Sequence, residues 1–234
     1  MSLRAIPNIS EGRDTAKIAY IAGTDALLDI HSDPNHNRSV LTYEADDLTD
    51  VIDTMIERAV ATLDIRTHTG VHPRFGVVDV LPFVGDGAAE AADAIATEVP
   101  IYRYGPDRPL PDLRRWLRTT EHDAHPTAGV ICVGVRGPLV AFNVNIDATP
   151  DEARAIVKRI RGEHIRALAF DLPSRGLVQV SMNLVEPFET GPKEAFALID
   201  ANVVDCEIVG VVPEGIATDG LPLRTAARRS DDRP

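Results

Sequence analysis

The sequence predicts an α+β protein made of two ferredoxin-like β-α-β-β-α-β lobes packed together, with a ligand cleft between them. Three observations carry that prediction. Strand-like alternation and helical spacing follow one another in the order β-α-β-β-α-β, and the series occurs twice. Polar clusters stand at strand ends in both halves. No Pro/Gly-rich linker separates the halves, so they are expected to pack tightly. The lobes are placed at residues 1–135 and 136–217, and the charged, aperiodic stretch 218–234 is expected to be a flexible tail.

In the first half, "LRAIPNIS" (3–10) reads as a strand and "GRDTAKIAYIAGT" (12–24) as a helix that Ser10 could cap. "ALLDIHSD" (26–33) and "RSVLTYEAD" (38–46) are strands joined by a "PNHN" turn. "LTDVIDTMIERAVATL" (48–63) places its apolar residues at helical spacing. "FGVVDVLPFV" (75–84), rich in branched and aromatic residues, reads as a buried strand, with an Ala-rich helix over 88–97. "PIYRYG", a short helix near "LPDLRRWLR", and "AGVICVGV" complete the half as additions to the basic pattern.

The second half is more regular. "PLVAFNVNID" (138–147) is a strand whose polar alternates share one face. Thr149, Pro150 and Glu152 make a capping box with proline at the first helical position, opening a helix that runs to about Gly162. "HIRALAFDL" (164–172) and "LVQVSMNLV" (177–185) are strands about a "PSRG" turn. "PKEAFALIDANV" (192–203) reads as a helix and "CEIVGVVP" (206–213) as the last strand.

Composition narrows the function classes. The chain carries 36 acidic against 24 basic residues, a net charge of −12, which argues against nucleic acid or an anionic membrane as partner. An anionic small molecule could still bind where arginine clusters locally. No apolar run approaches a membrane span, and the first twelve residues lack a secretory h-region, so a cytoplasmic location is expected. The two cysteines, Cys132 and Cys206, lie in apolar stretches and are expected to be buried thiols, not a disulfide.

Chemistry concentrates in a few loops. "RTHTGVHPRFG" (66–76) carries two histidines four apart, the spacing that faces two imidazoles together on a helix. Gly70 between them and Pro73 after His72 exclude a helix, so His68 and His72 belong to a loop at the mouth of the buried strand. "HSDPNHNR" (31–38) and "IPNISEG" (6–12) add Asp33, Asn37, Arg38 and Asn8 at other strand ends. Asn143 and Asn145 in "AFNVNID" and Asn183 in "VSMNL" are their counterparts in the second half, suited to a polar ligand if they face a cleft. A metal site drawn from His31, Asp33, His36, His68 and His72 matches no recognised zinc spacing, so no metal is expected.

Read together, these clusters resemble the glutamate formimidoyltransferase (formiminotransferase) family. "IPNISEG" looks like the family's V-P-N-F-S-E-G, and "NRSVLTY" like its N-R-T-V-Y-T-F. "RTHTGVHPRFGVVDVLPFV" is similar to its M-R-x-H-x-G-x-H-P-R-x-G-x-x-D-V-x-P-F-V. "VPIYRYG", "LVAFNVN", "VQVSMNL" and "VGVVP" follow in the family's order. The segment "DLRRWLRTTEHDAHPTAGV" departs from it, being shorter and lacking a D-F-G-P-like loop that lines the folate site.

The resemblance implies transfer of a formimidoyl group from N-formimidoyl-L-glutamate to N5 of tetrahydrofolate, a co-substrate, in histidine degradation and one-carbon metabolism. It implies that His72, the histidine of H-P-R, is the catalytic general base and acid. Arg38 and Arg74 would then meet substrate carboxylates, and Asp33 and Asp79 would orient the imidazole or a pterin N–H. Asn8, Asn37, Asn143, Asn145 and Asn183 complete the expected substrate-binding set, and a homodimer is expected. Two other functions stay open: a hydrolase using water as acceptor, for which the shortened segment speaks, and a non-catalytic binder of a small anion. Because no metal is expected, activity should survive dialysis against a chelator; a stoichiometric transition metal found by elemental analysis of purified protein would overturn this.

Overall fold

The computed structural model describes residues 2–23 and 26–225, together with the backbone of 228–229. The chain divides into two compact units, Met1–Gly137 and Pro138–Pro234, each with its own core. Both mix sheet and helix, as an α+β chain should. Among the described residues no helix is long and apolar enough to cross a membrane.

The first unit is built on one mixed sheet. β1 (Arg4–Ala5) and β2 (Asn8–Ile9) share a single position in it, interrupted at Ile6–Pro7 because proline has no N–H for the ladder. The hydrogen bonds continue across the break: Ile6 N–H donates to the Pro82 carbonyl at 2.9 Å, and the Pro7 carbonyl accepts from Leu41 N–H at 2.9 Å. After α1 (Thr15–Ala22) come the hairpin strands β3 (Leu27–Asp33) and β4 (Arg38–Glu44), then α2 (Thr49–Thr62) and β5 (Val78–Val84). The sheet runs β3, β4, β1/β2, β5 with antiparallel neighbours.

Beyond β5 the sheet departs from the expected lobe. α3 (Ala88–Ala94), β6 (Ile101–Tyr104), α4 (Leu110–Thr119) and β7 (Ile131–Val135) extend it, with β7 parallel to β5 and β6 parallel to β7. All seven residues of β5 are buried. Such a strand needs cover on both faces and neighbours on both edges, which is why the additions go here. Leu81 and Phe83 pack with Leu41, Tyr43, Ile52 and Met55 on one side. Val80 and Cys132 pack with Leu113 and Leu117 of α4 on the other.

The second unit has the order β11-β8-β10-β9, antiparallel throughout. Its strands are β8 (Val140–Ile146), β9 (Ile165–Leu172), β10 (Leu177–Leu184) and β11 (Val203–Val209), with α5 (Pro150–Ile160) and α6 (Pro192–Ala197) as crossovers. The capping box at Thr149 and Glu152 forms as expected. Helix α6 is shorter than the sequence suggested: the Asn202 carbonyl already accepts from Asp147 N–H at 2.9 Å, and Val203 enters β11. The last expected strand is broken at Gly210, whose φ of 79° ends β11 before β12 (Val211–Val212). Cys132 and Cys206 are both free and buried.

The expected tail needs correction where it is described. Cys206 N–H donates to the Pro222 carbonyl at 3.0 Å, and Arg224 N–H to the Cys206 carbonyl at 2.8 Å, so residues 222–224 lie along β11. An edge strand with open N–H and C=O groups gives such a segment a partner, whatever its own periodicity. Residues 226, 227 and 230–234 fall outside the described residues.

Candidate active site

The loop carrying the paired histidines has no regular structure, so its backbone must be satisfied by other means. Arg74 does much of this. Its guanidinium donates to the carbonyls of Gly70 (3.0 Å), His72 (2.9 Å) and His68 (2.9 Å), so the loop closes around its own cation. Arg74, expected to meet a substrate carboxylate, is partly buried and makes these three bonds to the loop's own carbonyls.

The rest of the loop is fixed by the β3–β4 turn. Gly70 passes so close beneath the His36 carbonyl that a Cβ there would collide with it. Asn37 takes a left-handed conformation, φ 48°, and uses every part of itself. Its side chain donates to the Thr69 carbonyl (2.9 Å) and accepts from Gly12 N–H (2.9 Å). Its carbonyl accepts from His68 Nε2–H at 2.7 Å. Asp33 caps the same turn, accepting from the N–H groups of Asn35 (2.7 Å) and His36 (2.8 Å). Ser10, expected to cap α1, donates instead to the Gly76 carbonyl at 2.7 Å, and Asp14 is the cap. The N–H groups of Arg13 and Asp14 are answered by Glu11, not left for a ligand.

Behind this loop lies a buried charge cluster. Asp79 is the extra residue of a β-bulge: Ile9 pairs with Val78 and Asn8 with Val80, leaving Asp79 unopposed on β2. Strict alternation from Leu81 and Phe83 would send its side chain into their apolar core. The bulge sends it to α4, where the carboxylate binds the guanidinium of Arg114 and, at 2.6 Å, that of Arg38. Its other oxygen accepts from Phe75 N–H at 2.8 Å. Arg38 also donates to the Asn8 side-chain carbonyl at 3.2 Å, so Asn8, Arg38 and Asp79 do come together. Burial by itself would raise the Asp79 pKa; the two guanidiniums overcome it and hold the carboxyl below its ordinary value.

His72 stands beside this cluster. Its Nδ1 lies 2.7 Å from the Pro73 carbonyl, which can only accept, so Nδ1 carries the proton and the lone pair belongs to Nε2. Its ring centroid is 5.8 Å from that of His36. Burial and the positive charge of Arg38 push the imidazole well below its ordinary pKa, with Asp79 opposing in part. Among the described residues no three His, Cys, Asp or Glu side chains gather closely enough to hold a metal ion.

A loop imidazole held in one tautomer over a buried Arg–Asp–Arg cluster can be set beside known proteins. A model of the "Formiminotransferase domain, N-terminal subdomain" matches residues 2–115, which include every residue of this cluster. The glutamate formimidoyltransferase of Streptococcus pyogenes serotype M1 is 32% identical, over 90% of this chain and 89% of its own. The chain belongs to the formiminotransferase family. It is an enzyme of the transferase class. The glutamate formimidoyltransferase of Thermoplasma acidophilum is 30% identical over 94% of this chain and 91% of its own. The formimidoyltransferase-cyclodeaminase of Sus scrofa is 29% identical over 90% of this chain but only 50% of its own, so this formiminotransferase spans half of that protein.

The remaining site candidates lie in the second unit. Asn143 donates to Glu207 at 3.0 Å and Asn145 to Asp205 at 2.6 Å, while Gln179 joins Asn145 (3.1 Å) to Glu207 (3.2 Å). Arg175 pairs with Asp205 at 2.6 Å, and Arg224 with Glu207. Asn143 and Asn145 thus share one strand face, as their alternation predicted, and that face is buried. Asn183, two pleats further along β10, is exposed.

Sequence reasoning missed Arg114, Gln179, Glu207 and Arg224. For Arg114 a signal existed. It occupies the stripe Leu110, Leu113, Arg114, Leu117, where helical spacing calls for an apolar side chain. A cation at such a position needs a buried counter-charge. Asp79→Asn should cost about 3–5 kcal/mol of stability by leaving two buried guanidiniums without their anion. Urea denaturation at neutral pH measures this, and a loss well under ~1 kcal/mol would show that the cluster is not held by charge.

Proposed function

We propose that this enzyme moves the formimidoyl group of N-formimidoyl-L-glutamate to N5 of tetrahydrofolate, with His72 as base and then acid, in histidine breakdown. The observation that carries the reading is the placement of His72: Nδ1 is held on the Pro73 carbonyl, and the ring stands beside Arg38 and Asp79. The names of the relatives support the donor and the group transferred.

The chemistry asks one group to move a proton twice. Attack of the acceptor amine on the amidine carbon forms a C–N bond and leaves a proton on the attacking nitrogen. Nε2 of His72 takes that proton. The imidazolium then gives it to the glutamate nitrogen as the old C–N bond breaks. A depressed imidazole pKa keeps the base form populated at neutral pH and makes the imidazolium a willing donor. Bonding of Nδ1–H to the Pro73 carbonyl steadies the ring through both transfers.

Arg38, with Asn8 beside it, is the cation proposed to meet a substrate carboxylate near His72, against the repulsive net charge. Arg74, Asn37 and Asp33 would serve by fixing the loop that carries the base. Asn143 and Asn145 remain proposed ligand contacts of the second unit, whose 4-1-3-2 strand order supports a ferredoxin-like lobe.

The test is turnover of formimidoyl-glutamate with and without tetrahydrofolate. Turnover is expected only with the folate; equal release of formamide in its absence would give the acceptor's place to water. His72→Ala should keep the fold and lose roughly 10²–10⁴ in turnover. The acidic limb of the parent's pH–rate profile should lie below the ordinary imidazole value of about 6.5, because activity is lost only as pH falls through the depressed pKa. Full activity in His72→Ala would remove the mechanism.

A further inference from the structure

Arg114 lies 42 positions after His72 in sequence and on a different element, yet both bind the same atom. The Pro73 carbonyl accepts from His72 Nδ1 at 2.7 Å and from Arg114 Nη1 at 3.2 Å. The other arm of the Arg114 guanidinium is on Asp79, and Asp79 in turn holds Phe75 N–H at 2.8 Å. One side chain of α4 therefore grips the peptide on each side of Arg74, directly at Pro73 and through a carboxylate at Phe75.

The proline makes this grip consequential. Its ring fixes φ, so the direction of the Pro73 carbonyl depends on ψ alone. A hydrogen bond to that oxygen from outside the loop sets ψ, and ψ sets where His72 Nδ1 finds its acceptor. The helix can hold the arginine because Leu113 and Leu117 on either side of it are buried against β5 and β7. Arg114 itself is 12% exposed in its side chain, so its charge is poorly screened where it acts.

We propose that Arg114 is a positioning residue of this transferase, which fixes the tautomer and orientation of His72 through the Pro73 carbonyl and Asp79. The inference rests on the reading of His72 as the base, but its structural content can be measured apart from catalysis. Charged and titratable groups face His72 from every side: Arg38 on β4, Asp79 on β5, Arg114 on α4 and His36 on the β3–β4 turn. Removing the Arg114 charge takes away one of two cations that oppose the imidazolium. The two functions of Arg114, its geometry and its charge, therefore predict separable effects.

The experiment is nitrogen-15 NMR of the His72 ring in the full-length protein, read as tautomer and as titration midpoint, beside turnover. In the parent, Nδ1–H should dominate. Arg114→Met should mix the two tautomers, raise the titration midpoint, move the acidic limb of kcat in the same direction and lower kcat roughly 10- to 100-fold, as for a misplaced catalytic group. Asp79 keeps Arg38 in this variant, so the cluster retains one ion pair. Arg114→Lys supplies the charge without the two-armed fork. It should keep the low midpoint but mix the tautomers, and it decides the question should the methionine variant not fold. A parent-like tautomer and midpoint in Arg114→Lys and Arg114→Met would overturn the proposal. Altered His72 signals in these variants alongside a fully active His72→Ala would instead retire His72 as base while leaving its tethering by Arg114 standing.

Discussion

A single buried carboxylate organises the first unit. Asp79 has no solvent of its own, and burying an unpaired charge costs more than a domain can spare, so it requires the guanidiniums of Arg38 and Arg114. Those two side chains come from β4 and α4, 76 positions apart in sequence, and meet on the same carboxylate oxygen. Satisfying one charge thus ties a hairpin strand, a central strand and the helix on the open face of the sheet to one point. The loop before β5 is tied to the same point through Phe75 N–H and the Pro73 carbonyl.

This arrangement explains how an irregular loop can carry a well-placed imidazole. A loop lacks the repeating hydrogen bonds of a helix or strand and must borrow them. Here Arg74 supplies donors from within, Thr69 and His68 exchange bonds with Asn37 of the neighbouring turn, and Gly70 lets the two backbones meet. Two cations take part in this bonding. Arg74 is bonded to loop carbonyls and Arg38 is shared between Asp79 and Asn8, so local positive charge is set into the fold of a chain that is acidic overall.

Electrostatics and hydrogen bonding both act on His72, and the bond to the Pro73 carbonyl opposes the effect of burial in part. Burial and the adjacent guanidinium disfavour the imidazolium, while the Pro73 carbonyl fixes the proton of the neutral ring on Nδ1. The second unit answers polarity differently. Its buried face is closed by mutual bonds among amides and carboxylates, with Arg175 and Arg224 neutralising the acids at its margin. A network satisfied in this way costs little to bury and holds its side chains in fixed positions.

Local patterning was enough to reveal most of the elements, because alternation and helical spacing are properties of neighbouring residues. The capping box at Thr149, the two buried thiols and the loop character of His68 and His72 were legible for that reason, and the H-P-R stretch carried the family. The pairing of β7 with β5, the docking of residues 222–224 on β11 and the early end of α6 were not, since each depends on which edge is open in three dimensions. Asp79 shows the limit best. Its place in "VVDVLPFV" by alternation puts it among apolar side chains; a one-residue bulge, set by the register of β2 against β5, turns it to Arg38 and Arg114. The sequence by itself determined which residues could do chemistry. Only the tertiary structure decided which of them meet, because register and helix placement are settled by contacts between segments far apart in the chain.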